Sequence, residues 1–263
     1  MRVRTPEEHL RAYYKTLYCA WGPQHWWPAG TAFEVIAGAY LTQNTSWTNV
    51  ELALKQLRRA GCLSLQGIRE APLAKLELFI RPAGYFRQKA ARLKGFVAFV
   101  DERYGGSLQR MFAQPTTRLR DELLTLNGIG PETADSILLY AGQHPVFVVD
   151  AYTRRILGRH GILAASSHYE EVRELCERAL SPVSGKPVPA RSRLPRGAAI
   201  PVVAHRPSPV SRAPRSSLAQ VYNDMHGLIV NVGKHYCFKS KPLCEQCPLR
   251  EFLPQGSPKP KVE

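Results

Sequence analysis

The stretch LNGIGPETADSILLYAGQHPVFVVDAYTRR, residues 126–155, decides how the chain is expected to fold. It opens with two glycines, Gly128 and Gly130, on either side of one apolar residue, and a proline follows directly. An apolar helical pattern comes next, then the short apolar run PVFVV, and then a single acid, Asp150. This order predicts a tight turn between two helices, followed by one carboxylate at the start of a third helix.

The turn has the composition of a site for anions. Glycines at 128 and 130 permit positive φ and close approach of another backbone. Pro131 at the first helical position gives up an amide that would have no helical partner, and the amides that remain lie at the positive end of the helix dipole, which favours phosphate. Ile129 is expected to point into the core and fix the turn. An ordinary corner between two helices is the alternative. The residues that would contact a phosphate backbone are Gly128, Ile129, Gly130 and Thr133.

Charge supports a polyanionic partner. The chain has 263 residues and a formal net charge of +15, with an isoelectric point near 9.8. Such a balance favours nucleic acid, although a basic protein without such a partner is the alternative. No stretch has the roughly 20 apolar residues that a membrane span needs. The first ten residues lack the apolar core of a signal peptide, so a cytoplasmic location is expected.

Helical periodicity runs through almost the whole chain and predicts an all-α fold. Thr5, Pro6 and Glu8 form a capping box with proline at the first helical position. That helix is predicted to end at residue 18. Apolar residues recur at helical spacing over 33–41, 50–57, 73–80, 86–100, 119–126, 132–140, 152–158, 168–180 and 218–232. In the helix at 86–100, Arg87, Lys89, Arg92 and Lys94 are expected to form a basic face, for solvent or for phosphates.

One segment interrupts the helices. Residues 181–216 hold eight of the 21 prolines, seven Lys or Arg and no acid. Such a composition does not bury enough apolar surface to order itself, so the segment is predicted to be a disordered basic insertion. Without it the remaining net charge is +8, so the expectation of a nucleic-acid partner does not depend on it.

Asp150 stands directly before a helical pattern, so it is expected to be an N-cap. With the glycine turn and the helix between them, it also closely resembles the helix-hairpin-helix (HhH-GPD) DNA glycosylases of the endonuclease III superfamily. The resemblance covers nearly the whole chain outside the insertion. It implies a monomer that acts on double-stranded DNA with damaged bases in the bacterial nucleoid, and an Asp150 that promotes loss of the base.

The resemblance also implies the domain organisation. Two helical subdomains would hold DNA in a cleft between them. One would comprise residues 26–144, with the helix-hairpin-helix at 119–142. The other would be discontinuous, from 1–25 and 145–263, and would end in a cysteine loop.

One position departs from the bifunctional members, in which a lysine two residues after the second hairpin glycine attacks the sugar and starts strand cleavage. Glu132 stands there in this sequence. A carboxylate cannot form a Schiff base, so the resemblance implies a monofunctional glycosylase that uses water. An AP lyase activity is not expected, although Lys234 is a candidate substitute nucleophile.

The stretch HWWPAGTAFEVIAGAYLTQNTSW supplies the expected wedge and base pocket. In LTQNTSW, Gln43 and its neighbour Asn44 resemble the segment that fills the gap left by a flipped nucleotide. Trp26, Trp27 and Trp47 lie nearby in sequence and are expected either to stack on a base or to pack in the core. With Glu132 these residues complete the predicted pocket. The WWP and LTQNTSW segments are similar to 3-methyladenine glycosylases of the endonuclease III type, which implies an N-alkylated purine as substrate.

The spacing Cys237-x6-Cys244-x2-Cys247 matches the first three ligands of the family's 4Fe–4S loop, but Leu253 stands where the fourth cysteine is expected. Three interpretations follow: a cluster with a non-cysteine fourth ligand, a zinc ion completed by His235, or a loop that holds neither.

Two alternatives for the function of the whole chain also stay open: an endonuclease III-like glycosylase and lyase for oxidised pyrimidines, and a non-catalytic helix-hairpin-helix module that only binds DNA.

Overall fold

The computed structural model describes residues 4–164, 166–183 and 204–254. Within these ranges all regular secondary structure is helical, which confirms the predicted all-α class. The helices are α1 Pro6–Trp21, α2 Ala32–Leu41, α3 Trp47–Arg59, α4 Leu65–Glu70, α5 Leu73–Phe79, α6 Phe86–Tyr104, α7 Leu108–Phe112, α8 Thr116–Leu124, α9 Pro131–Ser136, α10 Ala151–Arg159, α11 Tyr169–Leu180 and α12 Ser217–His235. No described helix is both long and apolar enough to cross a bilayer.

Local signals place most helix starts. At α1 the predicted capping box is present: the Thr5 hydroxyl accepts from the Glu8 amide, and the Glu8 carboxylate accepts from the Thr5 amide. Thr31, Ser46 and Ser64 accept a backbone amide in the same way at the starts of α2, α3 and α4. These side chains satisfy amides that have no partner inside the helix.

Each predicted helix has a counterpart, but α4 and α7 were missed. They have six and five residues, which is too short for a repeating apolar pattern to be recognised. The predicted helix at 132–140 is α9 followed by a π-helical turn, Ile137–Ala141.

The chain divides into two compact units. We call Met1–Pro28, Pro145–Pro207 and Pro214–Glu263 the terminal unit, and Ala29–His144 with Ser208–Ala213 the central unit. In the central unit α2 is buried almost throughout and packs against α3, α6 and the π turn. In the terminal unit α1 packs on α11 and α12, and α10 packs on α12. Helix α12 is buried along most of its length.

Of the segment predicted to be a disordered insertion, residues 181–216, the structure describes residues 181–183 and 204–216, and both parts make hydrogen bonds to defined partners. The amide of Val210 donates to the carbonyl of Ala29, and the side chain of Val210 is buried. Ser208 and Ser211 each accept the other's backbone amide. Composition did not indicate this order because it depends on distant backbone groups: besides Ala29, the carbonyl of Gln24 accepts from the amide of His205. The part at 184–203 lies outside the described residues.

A buried ion pair joins the two helices beside the glycine turn. The Arg120 guanidinium on α8 donates to both carboxylate oxygens of Asp135 on α9, at 2.7 and 3.1 Å. The Asp135 side chain is fully buried. Two parallel hydrogen bonds fix direction as well as distance, so this pair sets the orientation of α8 relative to α9.

Candidate nucleic-acid interface and acidic site

The hairpin between α8 and α9 needs glycine at its first position. Gly128 has φ of +80°, and a Cβ there would lie within 2.5 Å of the Arg92 side chain. Gly130 instead has φ of −96° as the N-cap of α9, so the expectation of a left-handed conformation applies to Gly128 alone. Ile129 is buried as expected. Its amide donates to the carbonyl of Leu126, so its part in the hairpin is to anchor the turn.

The surface over Gly130 is open. No atom lies within 4 Å of a Cβ built at this glycine, and no side chain caps the start of α9. Glu132 in the first turn of α9 is exposed. A ligand can therefore reach the backbone at the start of this helix.

Gln43, the predicted wedge, is bonded to the hairpin. Its amide nitrogen donates to the carbonyl of Gly128 at 2.7 Å and to the hydroxyl of Thr133 at 3.0 Å. Its amide oxygen accepts from Arg92 at 3.2 Å. The loop after α2 and the hairpin thus form one hydrogen-bonded surface of the central unit, which the sequence did not indicate.

The expected basic face of α6 was wrong at Lys89. Its side chain is only 1 % exposed, and its ammonium donates to the carbonyls of Leu41, Gln43 and Ala83 at 2.9, 2.8 and 2.7 Å. Burial, together with the charge of Arg92, lowers the pKa of Lys89 to about 8. Because each of the three N–H bonds of the ammonium can donate to one of these carbonyls, Lys89 fixes the backbone that carries Gln43.

Two further predicted residues follow Gln43. Asn44 is exposed with φ of +52°, a left-handed conformation that asparagine tolerates better than most residues. Trp47 is the first residue of α3, and its indole donates to Glu51 at 2.9 Å. Asn44 therefore lies at the exposed tip of the loop, and Trp47 is partly exposed beside it.

Asp150 is the N-cap of α10, which confirms the structural expectation for this residue. Its Oδ1 atom accepts from the Thr153 amide at 2.7 Å and from the Thr153 hydroxyl at 2.9 Å. Its Oδ2 atom lies 3.6 Å from Nε2 of His226 on α12. The two carboxylate oxygens thus have different surroundings.

The ionised form of Asp150 is favoured. Burial acts to raise the pKa of this carboxyl, but the interaction with His226 and the two hydrogen bonds from Thr153 outweigh it, and the pKa falls below its usual value. A carboxylate that is largely buried, with 14 % of its side chain exposed, therefore stays charged in a place where water is scarce.

The three tryptophans predicted for the base pocket are distributed over both units. Trp26 and Trp27 belong to the terminal unit and Trp47 to the central unit. Trp27 is buried and packs as a core residue. Trp26 is half-buried; its ring meets those of His205 and His226, and the Lys234 ammonium lies 5.4 Å from its centre.

The three C-terminal cysteines line one small cavity of the terminal unit. Cys237, Cys244 and Cys247 share it with Leu253. Arg159 donates to the Cys237 sulfur at 3.0 Å. Burial raises the pKa of Cys247 to about 12. The cavity also reaches His160, but the His160 Nδ1 atom lies 2.7 Å from the Tyr13 hydroxyl.

These residues do not fit a four-thiolate cluster, because Leu253 offers no ligand and no cysteine follows Cys247 in the sequence. The zinc interpretation with His235 does not fit either. His235 is not among the cavity's lining residues. Among the described residues no three His, Cys, Asp or Glu side chains are placed to hold one metal ion. No chemical step is therefore assigned to this loop.

Leu253→Cys should supply the missing thiolate. We expect this variant, produced with iron and purified without oxygen, to have more iron per chain and more absorbance near 400 nm than the wild type. Leu243→Cys is the matched control, since it adds a thiol to the same loop outside the cavity. Equal iron in all three proteins would contradict the prediction.

The helical units, the open glycine hairpin and the capped carboxylate at Asp150 define a helix-hairpin-helix protein. The chain belongs to the HhH-GPD superfamily of base excision DNA repair proteins, whose profile matches residues 37–182. It is 39 % identical over 246 residues to the provisionally named DNA repair glycosylase MJ1434 of Methanocaldococcus jannaschii, covering 93 % of this chain and 96 % of that one.

Solved structures agree with this assignment. A 3-methyladenine DNA glycosylase of H. pylori, MagIII, bound to 1,N6-ethenoadenine, has a TM-score of 0.66 and 30 % identity over 88 % of this chain and 98 % of that one. An endonuclease III–DNA complex has a TM-score of 0.70 with 20 % identity over 97 % of each chain, and shows that the fold is shared.

Sequence reasoning missed His226 and the roles of Lys89 and Arg92. His226 lies in a run that reads as an ordinary buried helix face, 76 residues after Asp150. For Lys89 a signal existed: it lies on the same helical stripe as Leu93, Phe96 and Val100 of α6, which are all buried. A lysine at helical spacing with core residues indicates a buried cation or a long stem that reaches the surface.

Proposed function

We propose that the protein is a monofunctional DNA N-glycosylase of base-excision repair that hydrolyses the bond to a damaged base, with an N-alkylated purine as substrate. The observation that carries this proposal is the Asp150 carboxylate, which accepts two hydrogen bonds from Thr153 at the start of α10 and lies 3.6 Å from His226. Membership in the HhH-GPD superfamily supports it.

The chemistry needs one carboxylate. The glycosidic C1′–N bond breaks and its electron pair leaves with the base, so positive charge develops on the sugar. A fixed carboxylate in a poorly hydrated place stabilises that charge. Water then forms the new bond to C1′ and loses a proton, for which Oδ2 of Asp150 is the acceptor. Oδ1 holds the α10 amide and does not need to move.

The central unit would hold the DNA. The open backbone at Gly130 is suited to a phosphate, and such contacts position a duplex without reading its sequence. Asn44 and Gln43 would enter the gap left by the flipped nucleotide. Gln43 would then exchange its hydrogen bonds with Gly128 and Thr133 for contacts with the unpaired base.

The substrate class rests on two supports. One is the pair of sequence segments around Trp26 and Gln43. The other is the likeness to the H. pylori protein, which its name describes as a 3-methyladenine glycosylase. An N-alkylated purine carries a positive charge and leaves readily, so modest assistance from a single acid is sufficient. Because Lys234 already lies over the Trp26 ring, a cationic base would stack on the other face of this ring or displace Lys234.

A panel of duplexes tests this function. We expect release of 3-methyladenine, no release of oxidised pyrimidines, and no covalent adduct when the reaction is trapped with borohydride. Glu132→Lys is the matched variant, because it restores an amine at the position from which bifunctional relatives attack, and we expect it to form the adduct.

Each other outcome has a defined meaning. An adduct with the wild type would overturn the monofunctional proposal. Release of oxidised pyrimidines alone would favour the endonuclease III-like alternative. Tight DNA binding without release of any base would favour a non-catalytic DNA-binding module.

A further inference from the structure

We propose that His226 is the positioning residue of this site: from α12 it holds the Oδ2 oxygen of Asp150 in place for the reaction. This inference rests on the proposed function of Asp150. His226 lies on α12, outside both the hairpin and the segment that carries Asp150. Nothing in the sequence pattern around Asp150 points to it.

The two oxygens of Asp150 divide their tasks. Oδ1 accepts two hydrogen bonds from Thr153, at 2.7 and 2.9 Å, and so belongs to the helix cap. Oδ2 is the oxygen available for a reacting sugar or water, and Nε2 of His226 lies 3.6 Å from it. This distance is slightly beyond a hydrogen bond but within the range of an ion pair. His226 is therefore placed to act on the reactive oxygen specifically.

The ring of His226 is held on two sides. The rings of Trp26 and Phe147 meet it edge to face, with centroids at 6.2 and 6.5 Å. Gly227 brings the Trp26 segment close to α12, because a Cβ there would lie 3.0 Å from Gln24 and 3.2 Å from Trp26. With 6 % of its side chain exposed, His226 has little freedom to turn away from Asp150.

Electrostatics explains why a buried glycosylase acid needs such a partner. Removing a carboxylate from water favours its protonated form, which cannot stabilise a sugar cation. The interaction with His226 beside Oδ2 offsets that cost, and Thr153 contributes two hydrogen bonds on the other oxygen. Without His226 the pKa of Asp150 would rise, and the fraction of charged Asp150 in mildly acidic solution would fall.

Other charged or titratable groups lie on α12 and on the elements packed against it. Helix α10 contributes Tyr152, whose pKa is raised by burial and by the charge of Asp150. The remaining groups are Asp224 on α12, Tyr14 and Tyr18 on α1, Glu177 on α11, Arg155 over the Tyr152 ring, and Lys234 and His205 at Trp26. Of these, His205 is the other histidine whose ring meets Trp26, so it is the matched control.

The test compares pH profiles of single-turnover base release for the wild type, His226→Gln, His226→Met and His205→Gln. Glutamine keeps a donor near the Nε2 position without the charge, and methionine removes both. We expect the acid limb of both His226 variants to move to higher pH, with about a tenfold loss of rate on that limb for each pH unit of the shift. The plateau at higher pH should change less, and the acid limb of His205→Gln should stay in place. An equal loss at every pH would mean a merely structural role and overturn the proposal.

A second measurement does not depend on activity. Thermal unfolding is followed from pH 3 to pH 8 for the wild type, Asp150→Asn, His226→Gln and the double variant. A lowered folded pKa of Asp150 contributes stability above the ordinary pKa, and this stability is lost as pH falls through the folded value. In His226→Gln the folded pKa of Asp150 should lie closer to its ordinary value, so that loss should be smaller and should be complete at higher pH. This difference should vanish in the double variant. Additive effects would overturn the pairing. Coupling in the absence of any base release would instead overturn the proposed function alone.

Discussion

Replacing Asp150 by asparagine should lower single-turnover base release by roughly 10²- to 10⁴-fold, the range for loss of an acid–base group, and leave DNA affinity nearly unchanged. Asparagine is as good an N-cap as aspartate, so its oxygen can still accept from the Thr153 amide at the start of α10. The substitution therefore removes the charge while keeping the shape. What is lost is the stabilisation of a developing sugar cation and the acceptor for a proton from water.

The measurement is base release from a 3-methyladenine duplex with enzyme in excess, alongside binding to the same duplex and thermal unfolding of each protein. Asp101→Asn is the matched control. Asp101 is paired with Arg69 at the surface of the central unit, so the same chemical change there should leave release at the wild-type rate. Release by Asp150→Asn at the wild-type rate would remove Asp150 from the mechanism.

Replacing Lys89 by methionine should lower the free energy of unfolding by about 3 kcal/mol or more, since each buried carbonyl left without a donor costs roughly 1–3 kcal/mol. The ammonium of Lys89 serves the carbonyls of Leu41, Gln43 and Ala83. Methionine matches the length of the stem and donates nothing. The substitution also removes the cost of burying the ammonium charge of Lys89. Because this gain offsets part of the loss, the effect should be smaller than the sum of the three full carbonyl penalties.

Denaturant unfolding at pH 7 gives this difference directly. Lys94→Met is the control. The Lys94 ammonium donates to one exposed carbonyl, that of Arg69, and a surface change of this kind is usually within about 0.5 kcal/mol.

The stability contributed by Lys89 should also depend on pH. Since the pKa of Lys89 is about 8 in the fold against an ordinary 10.5, the unfolded chain binds the proton of the Lys89 ammonium more tightly than the folded chain does. The stability of the wild type relative to Lys89→Met should therefore grow as pH rises from 8 to 10.5. A constant difference would contradict the lowered pKa.

Lys89→Met should also weaken the recognition of damaged DNA. The carbonyl of Gln43 would lose its donor, so the loop that presents Gln43 and Asn44 would lose one of its fixed points. A loop that is ordered only on binding costs affinity. Binding to a lesion duplex should fall more than binding to an undamaged duplex.

The sequence by itself determined the features whose causes are local. The capping box at Thr5 and Glu8, the left-handed glycine at 128, the proline opening α9 and the N-cap at Asp150 all depend on residues within a few positions of each other. The helical class follows from apolar spacing in the same way. The resemblance to the HhH-GPD glycosylases could be recognised from one stretch of 30 residues, because the hairpin and the acid both lie in it.

The tertiary structure alone decided which side chains support that stretch. From its sequence position Lys89 was expected on a basic surface. In the structure its ammonium binds the carbonyl at the end of α2 and the carbonyl of Ala83, so the side chain is buried. Gln43 is 85 residues from the glycine whose carbonyl it binds, and His226 is 76 residues from Asp150. Residues 204–216 obtain their order from partners elsewhere in the chain. Helical periodicity shows that a residue faces the interior, but it does not show which distant group that residue contacts. The surroundings of the Asp150 carboxylate depend on such a contact, the one with His226.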